Sequence, residues 1–468
     1  FKDSDTYRNF FHKPFMLNLV ISLNCMCILK VRGEGKMKGK LLGILWILIF
    51  FVATVVSGTG VELTSSSPAE IHVYPGQSIQ AAIDSAAPGD TIIVHAGTYN
   101  EKIVIDKPLT LLGAQHDVDP RGGAWKDNIT TINPGEGNTG INITSSDVVV
   151  NGFEVTGGVY GIYVGYTNVS NIRILYNDLN NNTKYGCQLI GIGSDVNHVI
   201  VSKNYFHHNG RNGLKLVDVT DCLVDSNEFA YNGFGTEATK PEYKFGILLE
   251  DERYKSPKYS PAIRNVFTNN LFHDNNLGAI NMEVMGYASS PYWTSTIFLE
   301  DTVVYGNNFE GNSSVWGINV SNDYKDDGTQ DGFGPIADVD ARFNWWSNES
   351  GPSGVGPGAG VAISNNVTYS PWLGYPYGTV PMTYHVDPTG KIQDAIDDAN
   401  PGDIIKVHEG TYTEQLIIDK SLTLIGDPKP KIVAPDTRTT FTIPESGDVW
   451  DPIIFAYGSL TGTETISV

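Results

Sequence analysis

The sequence predicts an all-β solenoid, a parallel β-helix with a short capping helix at its start and a second such unit begun near the C-terminus. Three observations carry that prediction. The stretch IQAAIDSAAPGDTIIVHAGTYNEKIVIDKPLTLLGA, Ile79 to Ala114, is written again without a gap from Ile392 to Asp427, with roughly two in three aligned residues identical. Between the copies, a glycine followed by alternating apolar residues recurs: GIYV from Gly161, GCQL from Gly186, GLKL from Gly213, GILL from Gly246, GINV from Gly317. An Asn-X-Phe motif or a near variant accompanies it, at Asn151, Asn177, Asn204, Asn227, Asn270 and Asn307, with NWW at Asn344.

Taken in order, the chain first offers Lys38 and Lys40, an apolar run from Leu41 to Val56, and the small pair Ser57-Gly58. These are the three parts of a secretory signal, so residues 37–58 are expected to be a signal peptide or a retained anchor. Residues 1–36 read as untranslated or leader sequence. Ile79, Ala82, Ile83 and Ala86 fall at helical spacing behind Ser78 as N-cap, and Pro88-Gly89-Asp90 ends that helix. A helix here covers the open end of a stack, where apolar columns and strand edges would otherwise meet water.

The motif period is about 23 to 27 residues where nothing is inserted. Short alternating strands at that period cannot bury a face singly, but successive coils about 4.8 Å apart can. Ile162, Cys187, Leu214 and Ile247 are then expected to form one interior column, and Phe153, Phe206, Phe229, Phe272 and Phe309 another. Asn tolerates left-handed corner angles, and its amide can bond the coils above and below. A β-propeller fits less well, because its blades need about 40 residues each. The expected division is a β-helix over 69–374, a linker over 375–390, and the start of a second, truncated β-helix over 391–468.

Composition narrows the partners. The net charge of −21 excludes nucleic acid, which demands clustered Lys and Arg. Cys25 and Cys27 precede the predicted solenoid, and Cys187 and Cys222 sit at apolar strand positions, so buried free thiols are expected and no disulfide framework. Eight Asn-X-Ser/Thr sequons, at Asn128, Asn142, Asn168, Asn181, Asn312, Asn319, Asn348 and Asn366, are candidate glycosylation sites.

The capping segment, the G-I-X-L and N-X-F coils, and the closing FNWWSNESGPSG with SPWL resemble the pectin-lyase-like right-handed parallel β-helix proteins. Within them the chain is most similar to the NosD-like, carbohydrate-binding and sugar-hydrolysis (CASH) group of archaeal surface proteins. The resemblance covers nearly everything from about residue 69. It implies a right-handed parallel β-helix on the cell surface or outside the cell, a monomeric domain in a tandem array. Membrane contact would be confined to an N-terminal or a further C-terminal anchor. The implied partner is a polysaccharide or surface glycan, held in a structural or adhesive role. The rival reading is a polysaccharide lyase or glycoside hydrolase.

For that rival, aligning strands by their glycines puts Tyr163, Gln188, Lys215, Leu248 and Asn319 outward. Lys215, Asp218, Glu250, Asp251 and Glu283 are expected to share a patch over three coils. Adjacent carboxylates would stand about 4.8 Å apart and alternate ones about 9.6 Å, bracketing the separations glycosidases use. The same oxygens suit Ca2+, the one cofactor contemplated; the bland alternative is a solvated acidic edge. The polygalacturonase-like Gly-His-Gly is missing, and Arg253-Tyr254-Lys255 and Asp326-Asp327 fall in insertions. His207 and His208 at the Asn204 corner and His273 at the corresponding Asn270 corner, about two coils on, make a candidate imidazole column. Trp345, Trp346 and Trp372, with Tyr287, Tyr292 and Trp293, offer either sugar stacking or closure of the stack.

Overall fold

The computed structural model describes residues 67–251, 261–284, 298–311, 314–322, 336–442 and 449–456. Among them, three parallel sheets run the length of the first stack. The first sheet has eleven strands, from Glu70–Val73 to Val367–Thr368; the second has eight, from Gly97–Tyr99 to Asn308–Phe309. The third has ten, from Ile103–Ile105 to Ala362–Ile363, with Ser353–Gly354 at its edge. Each full coil contributes one strand to each sheet in turn, which is a parallel β-helix.

Alternation within each strand decides what faces inward. Ile141, Ile162, Cys187, Leu214, Ile247, Ile280 and Ile318 are successive register partners in the third sheet and are fully buried. Burial of each such aliphatic side chain contributes about 2 kcal/mol. Cys187 and Cys222 are free thiols, and burial pushes both up in pKa. The aromatic column also forms: Phe206, Phe229, Phe272 and Phe309 stack with centroids 4.7, 5.0 and 5.3 Å apart, and Trp346 follows at 4.8 Å. Phe153 is the exception. Its neighbour Val155, not Phe153, is the register partner of Leu179 and so of Phe206. Gly152, at φ +85°, sets NGF two residues out of step, and Phe153 N–H donates to Asn177 Oδ1 at 3.0 Å.

The recurring Asn explains the corners. Asn177, Asn204, Asn227, Asn270, Asn307 and Asn344 form a buried ladder in which each Nδ2 donates to the next Oδ1 at 2.9–3.0 Å. Each backbone N–H donates to that same oxygen. The second donor position of Nδ2 reaches back to a strand carbonyl, such as Val201 O from Asn227. The left-handed angle, however, belongs to the residue before each Asn: Tyr176, Lys203, Ser226, Asn269, Gly306 and Phe343 have φ between 51° and 64°. That conformation costs about 1 kcal/mol in a side-chain-bearing residue, and the amide bonds offset it. A second ladder, Asn182, Asn209, Asn232 and Asn275, repeats the device at the next corner. Gly213 is needed where it stands, since a Cβ there would meet Phe206 Cβ at 2.8 Å and Phe229 Cδ1 at 2.9 Å.

The duplicated letters make duplicated bonds. Helix α1, Ile79–Ser85, buries Ile79 and Ile83, and the Ser78 hydroxyl accepts from Ala81 N–H. Helix α2, Ile392–Asp398, buries Ile392, Ala395 and Ile396. Glu101 accepts from the first two N–H groups of α1, and Glu414 does so for α2. Lys107 and Lys420 donate to the carbonyls at the two C-terminal ends. Asp90 and Asp403 each tie the turn after the helix to the strand before it. Within the segment read as linker, Thr383–Val386 is a strand, parallel to Ile404–His408 and antiparallel to Trp372–Leu373. A second apolar core gathers around Tyr384, Val386, Ile396, Ile405 and Leu416. Among the described residues no helix is long and apolar enough to cross a membrane, and the Leu41–Val56 run lies outside them.

Two outcomes follow. Asn227→Ala removes the acceptor for two donors of Asn204 in the buried ladder, so it should lower stability by roughly 2–4 kcal/mol in urea unfolding. The second concerns His385, 3% exposed, bonded to His408 at 3.0 Å and covered by Trp372 at 5.5 Å. Burial, then His408 and Lys406, lowers its pKa to about 4. The neutral form is the folded one, so its contribution is complete above about pH 6.5 and is lost as pH falls toward 4. Up to roughly 3 kcal/mol is at stake, and hydrogen exchange of Thr383–Val386 should quicken over that window.

Candidate functional site

The five residues expected to share a patch lie on the outer side of the third sheet and at its strand ends. Lys215 sits in Leu214–Val217; Glu250 and Asp251 close Phe245–Asp251; Glu283 lies in Gly278–Val284. Val217, Glu250, Glu283 and Ser321 are register partners, so the two glutamates stand on neighbouring strands. Asp251 follows Glu250 along the strand and therefore points to the opposite side, where its Oδ2 accepts from Ala262 N–H at 3.4 Å. Asp218 stands in the turn after Val217 with φ 51°, and its N–H donates to Glu250 O. The structure thus brings Lys215, Glu250 and Glu283 together and turns Asp251 away.

This cluster is enclosed. Asp218 and Asp251 are 0% exposed, Glu250 3%, Glu283 6% and Lys215 9%. Lys215 Nζ lies 2.8 Å from Glu250 Oε2 and 5.7 and 5.8 Å from the rings of Tyr185 and Tyr243. The Arg211 guanidinium stacks 4.1 Å over Tyr243 and donates to the Tyr185 hydroxyl. Tyr243 belongs to the turn Pro241–Lys244, which these cations hold against the sheet. Burial opposes the charge on Lys215, but Glu250 and the two tyrosines outweigh it and raise its pKa. Chemically this is a locked ion pair beneath aromatic rings, with its cation already committed.

The histidines are held by carboxylates. His207 Nε2 lies 2.8 Å from Asp178, and His273 Nε2 3.2 Å from Glu228. His207 and His273 are separated by Ala230 in register, two coils apart. Among the described residues no three His, Cys, Asp or Glu side chains converge as metal ligands. Trp346 and Trp372 are buried and close the stack. Arg253-Tyr254-Lys255, Asp326-Asp327, Tyr287, Tyr292, Trp293 and Asn312 lie outside the described residues. Of the sequons, Asn128, Asn168, Asn181 and Asn366 are exposed, while Asn142, Asn319 and Asn348 are half-buried.

A different surface on the same sheet is open. A groove of about 630 Å³ is lined by Tyr160, Tyr163, Tyr166, Gln188, Asn142 and Lys102, among others. Tyr160 and Tyr163 lie 5.4 Å apart, Tyr160 and Tyr185 stack at 6.0 Å, and Tyr166 is 68% exposed. Burial and the neighbouring tyrosines push Tyr163 up to about 12, so its hydroxyl keeps its proton at neutral pH. Lys184 Nζ lies 5.9 Å from the Tyr160 ring. The sequence reading had Tyr163 and Gln188 outward but missed the groove. Its signal was YGIYVGY, three tyrosines within one strand and its turn.

The family model of the right handed beta helix region matches residues 137–325. With the coil topology above, the solenoid is a right-handed parallel β-helix. Among solved structures, an alginate lyase from Paenibacillus sp. str. FPU-7 is similar at 13% identity and TM-score 0.29, covering 78% of this chain and 98% of that one. The pectate lyase Pel9A is similar at 12% identity and TM-score 0.28, covering 78% and 79%. A Yersinia enterocolitica Family 28 exopolygalacturonase is similar at 11% identity and TM-score 0.30, covering 86% and 80%. A comparison with curated proteins gave no match.

If the Lys215–Glu250 pair is structural, its partners must be removed together. Glu250→Gln alone should cost about 3–5 kcal/mol by stranding a buried cation, while Lys215→Met with Glu250→Leu should recover most of that loss. Thermal or urea unfolding of the two variants checks it.

Proposed function

We propose that this is a secreted or cell-surface β-helix protein that holds a polysaccharide or surface glycan in the tyrosine groove, in a structural and adhesive role. The carrying observation is a contrast on one sheet. The aromatic groove is open to solvent, whereas Asp218, Glu250, Asp251 and Glu283 are each less than a tenth exposed. Tyrosine rings offer sugars apolar faces and fixed hydroxyls at low entropic cost. A general acid must reach the glycosidic oxygen, and carboxylates less than a tenth exposed are poorly placed for that. The resemblance to the NosD-like group of archaeal surface proteins supports the same reading, as does the apolar run at 41–56 for export or anchoring. Nucleic acid is a poor partner for a chain of net charge −21, and binding in the groove needs no cofactor.

Cleavage is the second reading, favoured by the register pairing of Glu250 with Glu283. The experiment is a binding titration of the protein against neutral and acidic polysaccharides, followed by assays for reducing ends and unsaturated products. Tyr160→Ala and Tyr163→Ala should each weaken binding roughly tenfold, about 1.4 kcal/mol, with no product formed by any variant. Product release by the wild type that disappears in Glu283→Gln would replace holding by cleavage.

A further inference from the structure

The groove has a grain set by the coils. Asn142, Tyr163 and Gln188 are register partners on three successive strands and occupy one outward row. Adjacent rungs rise about 4.8 Å, so the two carboxamides stand about 9.6 Å apart with the Tyr163 ring between them. Asn142 Oδ1 and Gln188 Oε1 are shielded from solvent and have no hydrogen-bond partner. Gln188 is only 6% exposed, yet it lines the groove. The carboxamide oxygens of both Asn ladders are satisfied; Asn212 Oδ1 is also unmatched but does not line the groove, so two unmatched ones in one row of one groove call for a partner that enters it. The row ends where the next register partner, Lys215, is already paired with Glu250.

We infer that the groove takes an extended, diequatorially 1,4-linked polysaccharide lying parallel to the solenoid axis, and that it reads every second sugar. In such a ribbon the rise per sugar is close to the rise per coil, and alternate units present the same edge. Asn142 and Gln188 then meet equivalent hydroxyl or acetamido groups on the first and third sugars, while Tyr163 supports the ring between. A chain with axial–equatorial 1,4 linkages, as in an α-1,4-glucan, winds away from the row and meets one carboxamide at most. This inference rests on the glycan-binding reading and adds to it a linkage class, a direction and a register.

The test is a length series of uncharged β-1,4-linked oligosaccharides, two to five sugars long, titrated against the protein produced without N-glycosylation. A matching α-1,4-linked series runs beside it. Affinity is expected to rise at least tenfold between two and three sugars and then to level off. Asn142→Ala and Gln188→Ala should each bring three-sugar binding back to the two-sugar value while leaving the thermal midpoint unchanged. Asn142, the more exposed of the two, keeps the test decisive if Gln188→Ala unfolds the sheet. A smooth rise with length, equal binding of the α-linked series, or three-sugar binding insensitive to Asn142→Ala would overturn the register while sparing the glycan reading. Failure of every glycan to bind would overturn both.

Discussion

The structure depends on one constraint: at every corner of the coil, backbone groups must find partners along the stacking axis, with no water to help. A carboxamide carries a two-hydrogen donor and a separate acceptor on one planar group, so it can give and take in that direction at once. Asn227 accepts from the coil before it, donates to the coil after it, and spends its second donor position on Val201 O. Each rung therefore fixes the next, and the spacing of the whole stack is inherited from a bond about 3 Å long. The glycines and phenylalanines follow. With the Asn in place, the next strand position falls between the Phe206 and Phe229 side chains and a neighbouring carbonyl, so Gly213 has no room for a Cβ.

The same accounting separates the two copies of the capping segment. Where α1 has Ala81 and Ser85, α2 has Asp394 and Asp398. Asp394 pairs with Arg342, and Asp398 accepts from the Tyr305 hydroxyl at 2.9 Å. Lys406, where the first copy has Ile93, meets Glu349 at 2.5 Å. The imidazole pair appears in both copies, but its cover differs. Tyr74 lies 4.1 Å over His95 in the first copy; in the second, Asp387 replaces that tyrosine and Trp372 stacks 5.3 Å over His408 instead. One segment thus begins a stack in both places. In the second place it also closes the stack before it, and the substitutions sit where the closing contacts are made.

These differences show what could be read in advance. The interior columns and the outward row were legible because a two-residue alternation and a recurring glycine leave one register only. Phe153 was misplaced because Gly152 shifts NGF by two positions, and nothing local in the motif reveals a shift that appears only against Asn177. The left-handed residue was assigned to the Asn rather than to its predecessor, since propensity favours Asn there and the ladder overrides it with Tyr176 and Phe343. At the candidate site, parity put Lys215 outward, and the carboxylates were expected just past the strand ends; Glu250, Asp251 and Glu283 instead lie within their strands, with Asp251 facing the other side. Parity gave no warning that the Pro241–Lys244 turn would set Tyr243 over Lys215. Insertions have no register, so what they cover is the least readable property of a solenoid.

Burial of that cluster bears on function through electrostatics. A buried ion pair gains little net stability, because desolvation takes most of what attraction returns. Lys215 and Glu250 therefore act as a fastening whose value lies in fixing the Tyr243 turn. Once fixed, that turn bounds the open surface: beyond Gln188 the face is covered, before it the tyrosines are free. A catalytic arrangement would place the charge in the open stretch and the rings around it, so that the sugar's glycosidic oxygen met an acid. Here the order is reversed. The rings stand on the open stretch and the charges stand buried, the order that favours the proposed holding of a chain along the sheet over cutting it.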